Sequence, residues 1–127
     1  AARETSVEEL QAMLDDFFRG TLFGDDHSER FLDGMTAPWN SEEAVTSLVR
    51  NAISTNTNHT TEIDPKRIEA RTLLLWGAED EFQSIEWADR LKKDIGTAEL
   101  IGLDEANHWV MEDRPADYRD ELVDFLL

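Results

Sequence analysis

Not one cysteine occurs in the 127 residues, which excludes a disulfide framework, thiol catalysis and any thiolate metal site. Lysine is nearly absent: Lys66, Lys92 and Lys93 are the whole set, and the remaining bases are arginine. Proline occurs three times and glycine six times, with no glycine-rich phosphate loop among them. No apolar run approaches the length of a membrane span, and the first residues, AARETS, carry no basic and apolar leader. The acids follow no calcium-loop spacing, and the histidines follow no zinc spacing. The sequence therefore implies no cofactor, no metal and no membrane partner.

What is abundant is negative charge. Twenty-nine acids against twelve bases give a formal net charge of −17. Such a polyanion repels nucleic acid, so no nucleic-acid partner is expected. Many acids with few lysines resemble the composition of proteins from salt-rich cytoplasm, where cations screen the self-repulsion. A halophilic, cytoplasmic protein is the expectation, and runs such as Asp15-Asp16, Asp25-Asp26 and Glu42-Glu43 read as solvated surface. The Asn58-His59-Thr60 triplet matches a glycosylation acceptor and reads as chance in a chain without a leader. Opening without an initiator methionine fits a trimmed product or an excised piece.

Periodicity divides the chain near residue 70. Ser6 and Glu9 form a capping box, and Val7, Leu10, Met13, Leu14, Phe17 and Phe18 then recur at helical spacing up to Gly20. A shorter helix is expected around Phe31, Leu32 and Met35. Pro38-Trp39-Asn40-Ser41 introduces another, with Ala44, Val45, Leu48, Val49, Ala52 and Ile53 on one stripe. These apolar faces are expected to be core. A polar connection follows at 54–61, then a turn at Asp64-Pro65. Beyond it the pattern changes to a strand at 72–76, a helix at 84–95, a strand at 98–103 and a last helix from Pro115 carrying Tyr118, Leu122, Phe125 and Leu126.

Strand, helix, strand, helix implies two parallel neighbouring strands joined by a right-handed crossover. Leu73, Leu74, Leu75 and Trp76 have no polar face, as in a strand covered on both sides by helices. One partner strand leaves the other edge of residues 72–76 open, so self-association or pairing with missing upstream strands is expected there.

Parallel strands bring the loops at their carboxyl ends to one rim, where ligands gather in such sheets. The first loop is Gly77-Ala78-Glu79-Asp80 and the second is Asp104-Glu105-Ala106-Asn107-His108. An acid from the first and His108 from the second can then meet, the carboxylate fixing the imidazole tautomer. Asp80 by itself is one acid in an acidic loop; the strand ahead of it and the histidine behind it make it a candidate. Glu79 competes for the same task. His27 and His59 follow no strand and read as surface residues.

LLLWGAED, SIEWADRLKKDI, AELIGL, EANHWVMEDRP and the closing amphipathic helix resemble the C-terminal part of an α/β-hydrolase. That resemblance implies a partial α/β-hydrolase fold: a helical lid over residues 1–69, entered through Ala37-Pro38-Trp39, and the last β-α-β-α of the core over 70–127. It implies Asp80 as catalytic acid and His108 as base, with Glu112 and Pro115 matching the tail of the histidine loop. Asn107 stands where the family prefers glycine before the histidine, a place for a left-handed backbone that asparagine tolerates. Trp39 and Trp109 are candidates to line an apolar substrate pocket, against the plainer reading of aromatic packing.

The family's nucleophile, in a Gly-x-Ser-x-Gly turn or its Asp equivalent, has no match in this chain. Ser6, Ser41 and Ser84 read as helix starts, and Ser28, Ser47 and Ser54 lack the glycine frame. The functional expectation is the acid and histidine of a triad hydrolysing a small ester, haloacid or C–C substrate, with this chain inactive alone. The alternative is a non-catalytic remnant that self-associates or binds a small apolar ligand.

Overall fold

The computed structural model describes residues 6–25, 28–55 and 62–127. His27, His59, Asp26 and the Asn58-His59-Thr60 triplet lie outside the described residues. Two compact units emerge: residues 1–20 with 27–63, and residues 21–26 with 64–127. The sequence pattern suggests one cut near residue 70; the segment after Gly20 instead joins the second unit, because its hydrogen bonds are made to the histidine loop.

The first unit is helical: α1 (Val7–Arg19), α2 (Glu29–Thr36) and α3 (Glu42–Ser54). Each begins at a serine whose hydroxyl takes an otherwise orphaned backbone N–H, Ser6 from Glu9, Ser28 from Phe31 and Ser41 from Ala44. The Ser6–Glu9 capping box is complete, the Glu9 carboxylate accepting from Ser6 N–H at 2.9 Å. Arg19 closes α1 with ion pairs to Asp15 at 2.7 Å and Glu29 at 2.9 Å. The hydrogen bonds to Glu29 and Asp15 hold its guanidinium pKa above the ordinary arginine value. Phe18, Leu32 and Val45 are buried. The apolar stripes are not core throughout: Met13 is 63% exposed and Ile53 79% exposed.

The second unit holds a 3-10 turn at Pro65–Arg67, β1 (Thr72–Gly77), α4 (Glu86–Asp94), β2 (Ala98–Leu103), the short α5 (Val110–Asp113) and α6 (Pro115–Leu126). The strands pair in parallel, Thr72 opposite Ala98 through Gly77 opposite Leu103. The crossover helix α4 packs against both strands. Leu103, Ala106 and Val110 form a buried cluster with Ile101 and Tyr118 against it. Full cover of β1 on both faces is not found, since Leu73 to Trp76 are only half-buried. The 3-10 turn lies where Asp64-Pro65 marks a turn, whereas the short α5 carries no apolar periodicity and the sequence pattern does not announce it.

Candidate active site

Gly77 ends β1 where the two loops press together. A Cβ there would run into the carbonyl oxygens of Ala106 and Asn107, so only glycine lets the acid loop lie against the histidine loop. The backbones then hydrogen-bond across the gap, Ala78 N–H to Leu103 O at 2.9 Å and Glu79 N–H to Ala106 O at 3.1 Å.

This juxtaposition delivers Asp80 to His108. Asp80 Oδ2 lies 3.0 Å from His108 Nδ1, with the carboxylate side chain 4% exposed and the imidazole 25% exposed. The other oxygen, Oδ1, accepts from the backbone N–H of Phe82 at 2.9 Å and of Gln83 at 2.6 Å. Trp76, the last apolar residue of the strand, donates its indole N–H to Gln83 O at 2.7 Å and so closes the acid loop upon itself. Three hydrogen bonds meet the lone pairs of a buried carboxylate, the condition under which burying one is tolerable. An ionised carboxylate only accepts, so Nδ1 carries the proton and Nε2 is left as the basic nitrogen. The rings of Phe82 and Trp109 stand edge-on to the imidazole, with centroids 5.0 and 5.4 Å away.

Glu79, the competing acid, does not reach the imidazole; its carboxylate accepts from Ala106 N–H at 3.2 Å and ties the outer side of the histidine loop. The left-handed backbone expected at Asn107 is found two residues earlier, at Glu105 with φ 57°. There Arg114 braces the turn, donating to Asp104 O at 2.8 Å and to Glu105 Oε2 at 3.2 Å. Asn107 is instead buried and used through its side chain. The acid that grips the histidine loop is Asp113 rather than Glu112: its carboxylate accepts from Asn107 N–H at 2.8 Å and Phe23 N–H at 3.0 Å.

The segment 21–25 packs onto the same loop. Thr21 O accepts from His108 N–H at 3.1 Å, and Thr21 Oγ1 accepts from the Trp109 indole at 2.9 Å. Trp109 therefore sits beside His108 with its polar edge already bonded, while Trp39 belongs to the helical unit, its backbone N–H donating to Thr36 O at 3.0 Å. The parts played by Thr21, Asn107 and Asp113 escaped the sequence reading. For Asn107 and Asp113 a polar residue type close to the histidine is the only signal, for Thr21 there is none, and nothing in their spacing announces a bond across 85 to 90 positions. Among the described residues no group of three or more His, Cys, Asp or Glu is placed to hold a metal, and no helix is long and apolar enough to cross a membrane.

No family model matches the chain. It is similar to the 2-hydroxy-6-oxononadienedioate/2-hydroxy-6-oxononatrienedioate hydrolase of Paraburkholderia xenovorans, at 29% identity over 128 aligned positions, covering 98% of this chain and 43% of that relative. Among solved structures, an alpha/beta hydrolase fold protein from Burkholderia ambifaria superposes with a TM-score of 0.79 at 20% identity, over 96% of this chain and 46% of that one. The 2-hydroxy-6-oxo-6-phenylhexa-2,4-dienoate hydrolase of a Rhodococcus strain superposes with a TM-score of 0.72 at 15% identity, over 97% of this chain and 45% of that one.

This is a partial α/β-hydrolase fold.

The chain spans less than half the length of these proteins. Among the described residues, what it holds of the α/β-hydrolase fold is one pair of parallel strands with their loops, together with helices. The resemblance drawn from LLLWGAED and EANHW therefore holds at the level of the fold.

Proposed function

We propose that residues 1–127 form the C-terminal part of an α/β-hydrolase and supply the acid and the histidine of its nucleophile–histidine–acid triad. The observation that carries this reading is the 3.0 Å contact between Asp80 Oδ2 and His108 Nδ1, with the other Asp80 oxygen taken by two backbone N–H groups. In this role Nε2 of His108 removes the proton of the nucleophile as it attacks the substrate carbonyl, and later passes that proton to the leaving group. Asp80 holds the ring and stabilises the imidazolium between those steps. Phe82 and Trp109 form an apolar wall beside the imidazole, suited to a small apolar substrate. The helical unit within residues 1–69 corresponds to the lid segment, and the nucleophile comes from sequence outside residues 1–127.

Among esters, haloacids and C–C substrates, we favour a C–C bond activated by a neighbouring carbonyl, because a relative matched over 98% of the chain is named as a 2-hydroxy-6-oxononadienedioate/2-hydroxy-6-oxononatrienedioate hydrolase. The test uses the complete gene product, assayed on a 2-hydroxy-6-oxo-dienoate and on a p-nitrophenyl ester. Hydrolysis that falls at least about 10³-fold in His108→Ala is expected; hydrolysis that survives the substitution refutes the role. Residues 1–127 alone are expected to show no turnover above background.

A second reading concerns the sheet edge. The strand order is β1-β2, so among the described residues β1 has a partner strand on one side only. The open edge of β1 along half-buried Leu73 to Trp76 favours association there, with upstream strands or with a second copy. Light scattering on residues 1–127 in high salt is expected to show an oligomer, and a clean monomer rejects the idea.

A further inference from the structure

Asn107 occupies an unusual position for a neutral side chain. It is 7% exposed, and its single side-chain oxygen serves two backbone groups, Glu81 N–H at 3.2 Å and His108 N–H at 2.8 Å. Its side-chain nitrogen donates to Leu22 O at 3.3 Å, and its own backbone N–H donates to Asp113 Oδ2 at 2.8 Å. Glu81 directly follows Asp80, and His108 directly follows Asn107. One oxygen therefore binds the peptide leaving the acid and the peptide entering the histidine.

We propose that Asn107 is the positioning residue of the Asp80–His108 pair: its carboxamide oxygen locks the two loops together beside the pair, without touching the reacting atoms. The other cross-loop ties fit this assignment. Those through Glu79 reach Ala106, one residue before Asn107, and the Glu79 carboxylate is exposed to competing water. Asn107, itself a buried residue, makes the cross-loop tie closest to the imidazole. A carboxamide is the neutral group that offers an acceptor to the two N–H groups and a donor to Leu22 O from one short side chain. Alanine removes both functions, whereas aspartate keeps the acceptor and loses the donor. Geometry of a base has to hold within about half an ångström to be productive, and a tie one residue from each partner constrains it at that scale.

The inference rests on the catalytic reading of the pair for its significance, but its test does not pass through activity. In residues 1–127, the Nδ1–H proton of His108 is followed by NMR together with amide exchange at Glu81, with Leu74 and Ile101 amides reporting the strands. In Asn107→Ala the Nδ1–H resonance is expected to vanish by exchange broadening, and Glu81 exchange to quicken roughly tenfold or more relative to the strand amides. In Asn107→Asp the resonance is expected to persist. A folded Asn107→Ala that keeps both the resonance and Glu81 protection overturns the proposal, as does loss of the resonance in Asn107→Asp. The second variant decides the matter if the first does not fold. Failure of the catalytic reading itself would show elsewhere, as hydrolysis by the complete gene product that survives His108→Ala.

Discussion

In the helical unit, polar side chains mostly serve the turn that carries them. Ser6, Ser28 and Ser41 cap N–H groups three residues away, and Arg19 pairs with Asp15 four residues back. In the β unit, the polar side chains at the strand ends serve distant backbone: Glu81 to Asn107 across 26 residues, Leu22 to Asn107 across 85, Phe23 to Asp113 across 90. Helix caps supply donors and acceptors that water would otherwise satisfy, so their loss is local and cheap. The loop-to-loop bonds hold one arrangement of two chain segments, and that arrangement is what the Asp80–His108 contact requires. Shape in the first unit is built locally; geometry in the second is built by closure.

Substitutions can break or sharpen that contrast. The largest effect is expected on rate: in the complete gene product, Asp80→Asn lowers kcat/KM by about 10³- to 10⁴-fold through the wrong histidine tautomer. Ser6→Ala, a cap in the helical unit, leaves kcat/KM within about threefold, because it removes roughly 1 kcal/mol of local stability and no site contact. Steady-state kinetics of the two variants decides this, and similar losses in both would erase the distinction.

Next are the two glycines that differ in sign. Gly77→Ala pushes a methyl into the Ala106 and Asn107 carbonyls and is expected to destabilise by about 3 kcal/mol or more. Gly34→Ala, within α2 with nothing inside 4 Å of the added carbon, is expected to stabilise by about 0.5–1 kcal/mol. Urea unfolding of both proteins measures the signs directly.

Asp113→Ala strips the acceptor from Asn107 N–H and Phe23 N–H and is expected to cost roughly 1.5–3 kcal/mol. Ser41→Ala, losing one cap bond to Ala44 N–H, costs about 1 kcal/mol. Equal costs by urea titration would mean that the distant ties are no stronger than the caps. The mildest and most general effect is that of salt. With a formal net charge of −17, the urea midpoint is expected to rise with added KCl as screening relieves self-repulsion, and a flat response counts against the halophile reading.

Much of the fold was legible because its signals are local. The Ser6–Glu9 box, the Ser41 cap and the Pro115 start each mark the start of a helix, and LLLW followed by glycine marks a strand running into a tight loop. The candidate pair was legible for a topological reason: two parallel neighbours put their carboxyl-end loops on one rim, so Asp80 and His108 could be paired without coordinates. What holds the pair was not legible. Asn107 looked like a tolerable substitute for glycine on backbone grounds, whereas the left-handed residue is Glu105 and Asn107 acts through its carboxamide. Glu112 and Asp113 are adjacent acids, and only the curl of α5 determines which one faces the loop. Burial is only partly legible: helical periodicity identifies a face that wants cover, as at Met13 and Ile53, but not whether cover is present.

The tautomer of one ring is the most direct test of the Asp80–His108 contact. ¹⁵N chemical shifts of His108 in residues 1–127, recorded at neutral pH beside those of Asp80→Asn, report which nitrogen holds the proton. A proton on Nδ1 in the parent chain, moving to Nε2 when the carboxylate becomes an amide that can donate, is the predicted outcome. An Nε2–H ring in the parent, or identical spectra for the two proteins, would contradict the carboxylate–imidazole contact on which the functional reading is built.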